Sequence, residues 1–263
     1  IRLFGSVGFI VAAVLIGWLI DIVGPDLVLS FGMLAIVATL LTSTKLVASQ
    51  AHIHSDDKGE LSDDFWRRCR SWGFVVFMLA SILLQMSFAP YISFFTKYLA
   101  EHDYQGVEIG LLFSLGTLAE IVLFMYAGRL LGRFSIKLLM SFCLILTAGR
   151  WLAVAYLVDS WLAVVISQLI HAFSFGLMHS ASIYFIRQQF ASHQQNRGQF
   201  MYLGATFGFG GAMGMALTGV TWENGLGGTT TFLWASVSVF IAALLILMTP
   251  RRKFQYDVTN PKV

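Results

Sequence analysis

Apolar residues fill eight long blocks of this chain, at about 4–22, 28–48, 73–97, 107–131, 136–157, 160–186, 199–221 and 229–249. Each is close to the roughly 20 predominantly apolar residues that a helix needs to cross a bilayer. Most breaks between blocks are short, so the pattern predicts antiparallel neighbours joined by tight turns. One break is different. Residues 49–72 are polar and charged, with the run AHIHSDDKGELSDDFWRRCR, and they divide the chain into two helices followed by six.

Composition agrees with the pattern. The 263 residues are 57% hydrophobic and 12% charged, and the mean hydropathy is +0.74. A soluble domain is about 45–50% apolar and about 25% charged. The sequence is therefore that of an all-α integral membrane protein surrounded by lipid. A net charge of +3 gives no reason to expect a nucleic-acid partner. Cys69 and Cys143 have neither metal-ligand spacing nor the look of a disulfide framework. The opening IRLFGSVGF has no Met and no signal-peptide pattern. It enters a membrane helix at once, as an internal or C-terminal piece of a longer protein would.

The basic residues orient the bundle. With eight alternating helices, Arg2, Lys45, Lys58, Arg67, Arg68, Arg70, Arg129, Arg133, Lys137, Arg187, Arg197, Arg251, Arg252, Lys253 and Lys262 fall on one side. Only Lys97 falls on the other. Cytoplasmic loops carry the Lys/Arg excess, so the 49–72 loop and the tail 251–263 are expected in the cytoplasm. Two helices (1–48), a cytoplasmic loop (49–72), six helices (73–250) and a cytoplasmic tail are what remains of a twelve-helix, 6+6 transporter without its first four helices. Such transporters hold substrate near the midplane between their halves. An eight-helix protein of another kind would share the same hydropathy.

Ionisable groups inside apolar helices cost about 2.5–3.5 kcal/mol each at the helix centre and usually face a cavity or a partner. Glu120 in GTLAEIVLFMYAG is a candidate proton carrier, with a structural ion pair as the bland alternative. Arg150 in LTAGRWLAVAY stays charged and can hold a carboxylate through two donors, either Glu120 or a substrate anion. His171 and His179 share one apolar run. Eight residues of α-helix put them about 80° apart around the axis and about 12 Å apart along it. They can line one broad face and serve proton coupling or hydrogen-bond a solute, and no further His or Cys suggests a metal. Gln85, Phe88, Tyr91, Phe175 and Ser182 are candidate substrate contacts, with Phe173 as a further ring. Pro90 should kink its helix. Gly204, Gly208, Gly211 and Gly214 fall at helical spacing and would let helices approach closely. Asp21 and Asp26 read as solvated turn residues.

The opening IRLFGSVGFIVAAVLIGWLID, together with IGLLFSLGTLAEIVLF, AGRWLAVAY and GLMHSASIYFI, resembles a branch of the major facilitator superfamily. That branch includes 3-phenylpropionate transporters and is similar to the lactose permease and to nucleoside–proton symporters. The run GRLLGRFSIK, residues 128–137, resembles the family's loop motif GxLaDRxGRK at Gly128, Leu130, Arg133 and Lys137, with Gly132 where Asp is usual. The resemblance implies the major facilitator fold, with eight helices of an expected twelve. It also implies proton-coupled uptake by alternating access, with no cofactor. A membrane-embedded enzyme finds no HExxH, GxSxG or paired-aspartate motif in the sequence, and a channel finds no filter-like repeat. Glu120, Arg150 and His171 fall on the helices that carry the coupling Glu, Arg and His of the permease branch, and His179 matches the phenylpropionate-type pattern. The permease's second carboxylate on the His helix is absent.

The expectation is a monomeric secondary transporter in a bacterial inner membrane. It would carry a small organic solute, such as an aromatic carboxylate, with protons. A sugar or nucleoside symporter, or a drug exporter, would use the same fold. A non-transporting membrane sensor or scaffold is the alternative of a different class.

Overall fold

Each of the eight apolar blocks forms a helix within the described residues of the computed structural model, which are 2–24, 27–44, 63–222 and 227–254. Two apolar helices come first, α1 (Arg2–Val23) and α2 (Leu27–Ser43). A short helix, α3 (Asp63–Cys69), leads into α4 (Trp72–Ser93) and its continuation α5 (Phe95–Glu101). The long helices α6 (Gly106–Arg133) and α7 (Ile136–Tyr156) follow. Next, α8 (Trp161–His171) runs through a π-helical stretch, Ala172–Leu177, into α9 (Met178–Gln189). In the same way α10 (Gln195–Leu203) passes through a π stretch, Gly204–Gly210, into α11 (Gly211–Thr221), and α12 (Gly228–Met248) closes the bundle. Six of these runs are long and apolar enough to cross a membrane: Trp72–Ser93, Gly106–Arg133, Ile136–Tyr156, Trp161–Gln189, Ser192–Thr221 and Gly228–Met248.

The centre of the bundle is α4, α7 and α12, whose inward faces bury Phe77, Phe88, Trp151, Phe232 and Val239. Serines join these helices by donating to mid-helix carbonyls across the interface. Ser236 Oγ donates to the Ala148 carbonyl at 2.8 Å, and Ser238 Oγ to that of Leu83 at 2.9 Å. Outward faces carry Met125, Leu162, Val220 and Met248, all well exposed, as helices facing lipid tails do. Pro90 lies inside α4, and the helix breaks just after it, at Phe94, where the chain restarts as α5.

Small residues set the close approaches. A Cβ on Gly110 would sit 2.5 Å from the Ala13 carbonyl, so α1 and α6 touch backbone to backbone. Of the four glycines read as one stripe, only Gly214 packs tightly, with Met86 O of α4 at 2.6 Å from its Cβ position. Gly204, Gly208 and Gly211 face open space, and Gly210 makes the other close approach, to Ile82 O at 3.0 Å. The wider π turn at Gly204–Gly210 moves the contact off the expected register.

Two expectations about loops change. Asp21 is no solvated turn residue: its carboxylate accepts from the Gly106 and Val107 N–H groups at 2.6 and 2.7 Å and caps the start of α6. Asp26 lies outside the described residues. The end of the 49–72 break is the helix α3 rather than loop, because Phe65 stacks on Phe190 with ring centroids 5.0 Å apart. Arg68 anchors it, donating to Asp64 at 2.7 Å and to the Gln189 carbonyl at the end of α9 at 2.9 Å. The Gln189 side chain answers with bonds to Arg68 O and Ser71 Oγ. Residues 45–62 and 255–263, with most of the break and of the tail, lie outside the described residues.

Candidate functional site

Three helices bring the intramembrane charges together. Glu120 lies midway along α6, Arg150 on α7 and His171 at the end of α8. Arg150 is completely buried. Its Nη1 lies 3.1 Å from His171 Nδ1. An arginine can only donate, so Nδ1 accepts and the imidazole carries its proton on Nε2. That nitrogen faces Glu120 Oε2 at 4.0 Å. The order is therefore Arg150, His171, Glu120. The direct Arg150–Glu120 pair raised by the sequence is not formed among the described residues, because the His171 ring occupies the space between them.

Aromatic rings surround the guanidinium. Its central carbon is 4.3 Å from the Trp151 ring centroid, 4.6 Å from Tyr91 and 6.0 Å from Phe88. Such contacts contribute about 2 kcal/mol or more when desolvated. Two nitrogens remain: Nε and Nη2 are buried and have no hydrogen-bond partner among the described residues. They are the adjacent pair with which arginine grips a carboxylate side-on.

Tyr91 is positioned rather than merely packed. Its hydroxyl donates to Gln168 Oε1 at 2.9 Å, and Gln168 Nε2 donates to Ser167 Oγ at 3.2 Å. Trp151 is held through its ring N–H, which donates to Ser87 Oγ at 3.1 Å. Phe88 sets its edge against Trp151, His171 and Phe175 at 5.4, 6.1 and 6.2 Å.

The two histidines are more closely aligned than a straight α-helix allows. His171 stacks on Phe175 at 5.6 Å with ring planes 5° apart, and Phe175 stacks on His179 at 6.3 Å and 10°. The π stretch between them underwinds the helix and takes out the offset of about 80° that regular α geometry would give. The column continues to Tyr202 of α10, 6.5 Å from His179. Gly176 makes room for the acid: a Cβ there would be 3.0 Å from Glu120 Cγ.

Other candidates sit apart. Gln85 is half-buried and makes no hydrogen bond among the described residues. Ser182 is buried and donates to its own helix, at Met178 O, 2.8 Å away. Phe173 turns away and meets Phe142 of α7. In the loop motif, Gly128 is exposed, Arg133 lies over Phe134, and Lys137 donates to the Leu247 and Thr249 carbonyls at 2.8 and 2.6 Å. Trp151, Gln168 and Tyr202 were missed by sequence reasoning. For the first two a signal existed: Trp151 adjoins Arg150, and Gln168 is one turn before His171.

The model of the MFS_1 like family matches residues 1–234. The chain belongs to that family. It is 26% identical over 261 residues to the maltose permease of Geobacillus stearothermophilus, a match covering 96% of this chain and 63% of the permease. It is 27% identical over 189 residues to a protein of Escherichia coli (strain K12) described as a probable 3-phenylpropionic acid transporter, over 71% of this chain and 48% of that protein. Among solved structures, a point mutant of the nucleoside transporter NupG superposes with a TM-score of 0.76 at 19% identity, covering 94% of this chain and 66% of that one. The chain thus spans less than two thirds of these proteins. It is a multi-pass membrane chain of the major facilitator fold.

Proposed function

We propose that this chain is the larger part of a secondary transporter of a bacterial inner membrane, carrying a small organic carboxylate, most simply an aromatic one, together with protons. In this reading the tail is cytoplasmic, residues 1–48 end the first half and 73–250 form the second. The observation that carries it is the buried Arg150 fork, whose Nε and Nη2 have no hydrogen-bond partner among the described residues, in a setting of aromatic rings. A buried charge left short of hydrogen bonds is costly. A carboxylate on those two donors removes the cost, and its ring can lie among Phe88, Tyr91 and Phe175. A sugar hydroxyl would take one donor and leave the charge.

His171 and Glu120 are the proton carriers of this scheme. The Nε2–H of His171 points at Glu120, and at 4.0 Å the two are just beyond hydrogen-bond reach. A small rotation of either side chain closes the gap and lets a proton pass. Gripping the substrate anion changes the charge beside His171, so binding and protonation are coupled through one ring. His179, stacked beyond Phe175, extends the path. Gln85 and Ser182 are secondary contacts.

The test is uptake of a labelled aromatic carboxylate by the full-length protein in proteoliposomes. Arg150→Lys keeps the charge but loses the fork. It is expected to lower uptake about a hundredfold or more with normal insertion, the loss that a broken charge-assisted pair implies. Uptake unchanged in Arg150→Lys would remove the carboxylate reading.

The maltose permease and the nucleoside transporter favour a second reading, a sugar or nucleoside as solute. Stacking on Trp151, Tyr91 and Phe88 would then dominate recognition.

A further inference from the structure

The loop motif at 128–137 lacks its acidic residue. Where the motif's acidic residue is usual, this chain has Gly132, and among the described residues no carboxylate pairs with Arg129, Arg133, Lys137 or Arg251. Lys137 instead closes the end of α12 by donating to the Leu247 and Thr249 carbonyls, which leaves it one further donor. Beside it is a pocket of about 140 Å³ lined by Ser135, Lys137, Tyr184, Gln188, Arg251 and Phe254, among others. The Tyr184 and Gln188 side chains are exposed and make no hydrogen bond among the described residues. Ser135 is the N-cap of α7, so the positive end of a 21-residue helix dipole adds to the site. The rest of the lining is apolar, Leu131, Phe134 and Ile136. A small pocket of mixed lining, with two cations, free donors and no acid, is complementary to a phosphate that carries acyl chains.

Its surroundings choose the source. The pocket opens at the ends of α6, α7 and α12, the level at which membrane helices meet the headgroups. Next to it, Leu138, Leu247 and Met248 are exposed by 50%, 46% and 81%. These side chains suit acyl chains hanging from a phosphate held in the pocket, and they have nothing to offer a free ion. Basic pockets between helices at this level are the kind that bind anionic headgroups. We propose that Lys137, Arg251, Tyr184 and Gln188 form a binding site for the headgroup phosphate of an anionic phospholipid.

The experiment places the full-length protein in nanodiscs of phosphatidylcholine and phosphatidylglycerol in equal parts and counts retained lipid by native mass spectrometry. The wild type is expected to retain phosphatidylglycerol over phosphatidylcholine. Arg251→Gln, at an exposed position outside the core, should weaken that retention about fivefold, the share of one basic residue at an anionic surface. Tyr184→Phe, which keeps the ring, should weaken it as well. Arg70→Gln, an exposed basic residue outside the pocket, should leave it unchanged. Equal retention in wild type and Arg251→Gln would overturn the site, and so would an equal loss in Arg70→Gln. Protection of the pocket by inorganic phosphate, without retained lipid, would overturn the lipid as its occupant.

Discussion

At the scale of single residues, burial decides which side chains can act. Among the described residues Arg150 is hydrogen-bonded to His171, and the Tyr91 side chain and the Trp151 ring pack against it. That is a poor environment for a resting ion and a good one for an ion awaiting a partner. Cys69 shows the opposite case, a group that burial silences. It lies half-buried on α3, and burial pushes its thiol from the ordinary 9.0 up to about 11. At a given pH well below both values, the thiolate is then about a hundredfold scarcer than in an exposed cysteine. Alkylation of Cys69 at pH 8 should be correspondingly slow and should accelerate as the pH rises toward 11. Rapid labelling at pH 8 would mean that α3 does not dock as described. Glu120, Arg150 and His171 were legible in the sequence because an ionisable residue stands out in an apolar run. Tyr202 was not legible, since a tyrosine in a membrane helix carries no signal until its neighbour across the interface is known.

Elements were legible where a pattern is local and hidden where it depends on a partner far along the chain. Eight apolar blocks gave eight helices, since length and hydropathy suffice for that. The Asp21 cap on α6 joins residues 85 apart, and nothing in IDIVGPDL announces it. The two π stretches were hidden as well. Their sequences, AFSFGL and GATFGFG, are glycine-containing but otherwise ordinary, and nothing local in them announces i→i+5 bonding. The first of them aligns the His171–Phe175–His179 column. The close approach of Gly110 on α6 to Ala13 on α1 is testable at this scale. Gly110→Leu drives a side chain into the Ala13 backbone, which cannot yield, and should cost about 1–3 kcal/mol through overpacking. The melting temperature in detergent should fall, whereas Gly219→Leu, at a glycine with nothing within 4 Å, should leave it unchanged. Equal melting temperatures would show that α1 is not held against α6 by this contact.

At the scale of the whole molecule, the fold brings Glu120, His171 and Arg150 together from separate helices. Glu120 comes from α6, Arg150 from α7 and His171 from the α8–α9 run, so a relative movement of these helices alters the 4.0 Å gap and the fork together. Family and fold account for the helices but leave solute and coupling to the site. Coupling is the central claim, and intravesicular pH tests it most directly. Proteoliposomes holding the full-length protein would be given phenylpropionate, a galactoside and a nucleoside in turn. Internal acidification with one of them, phenylpropionate on the carboxylate reading, and its loss in Glu120→Gln is the predicted result. Solute entering without any pH change, or acidification undiminished in Glu120→Gln, would contradict the account.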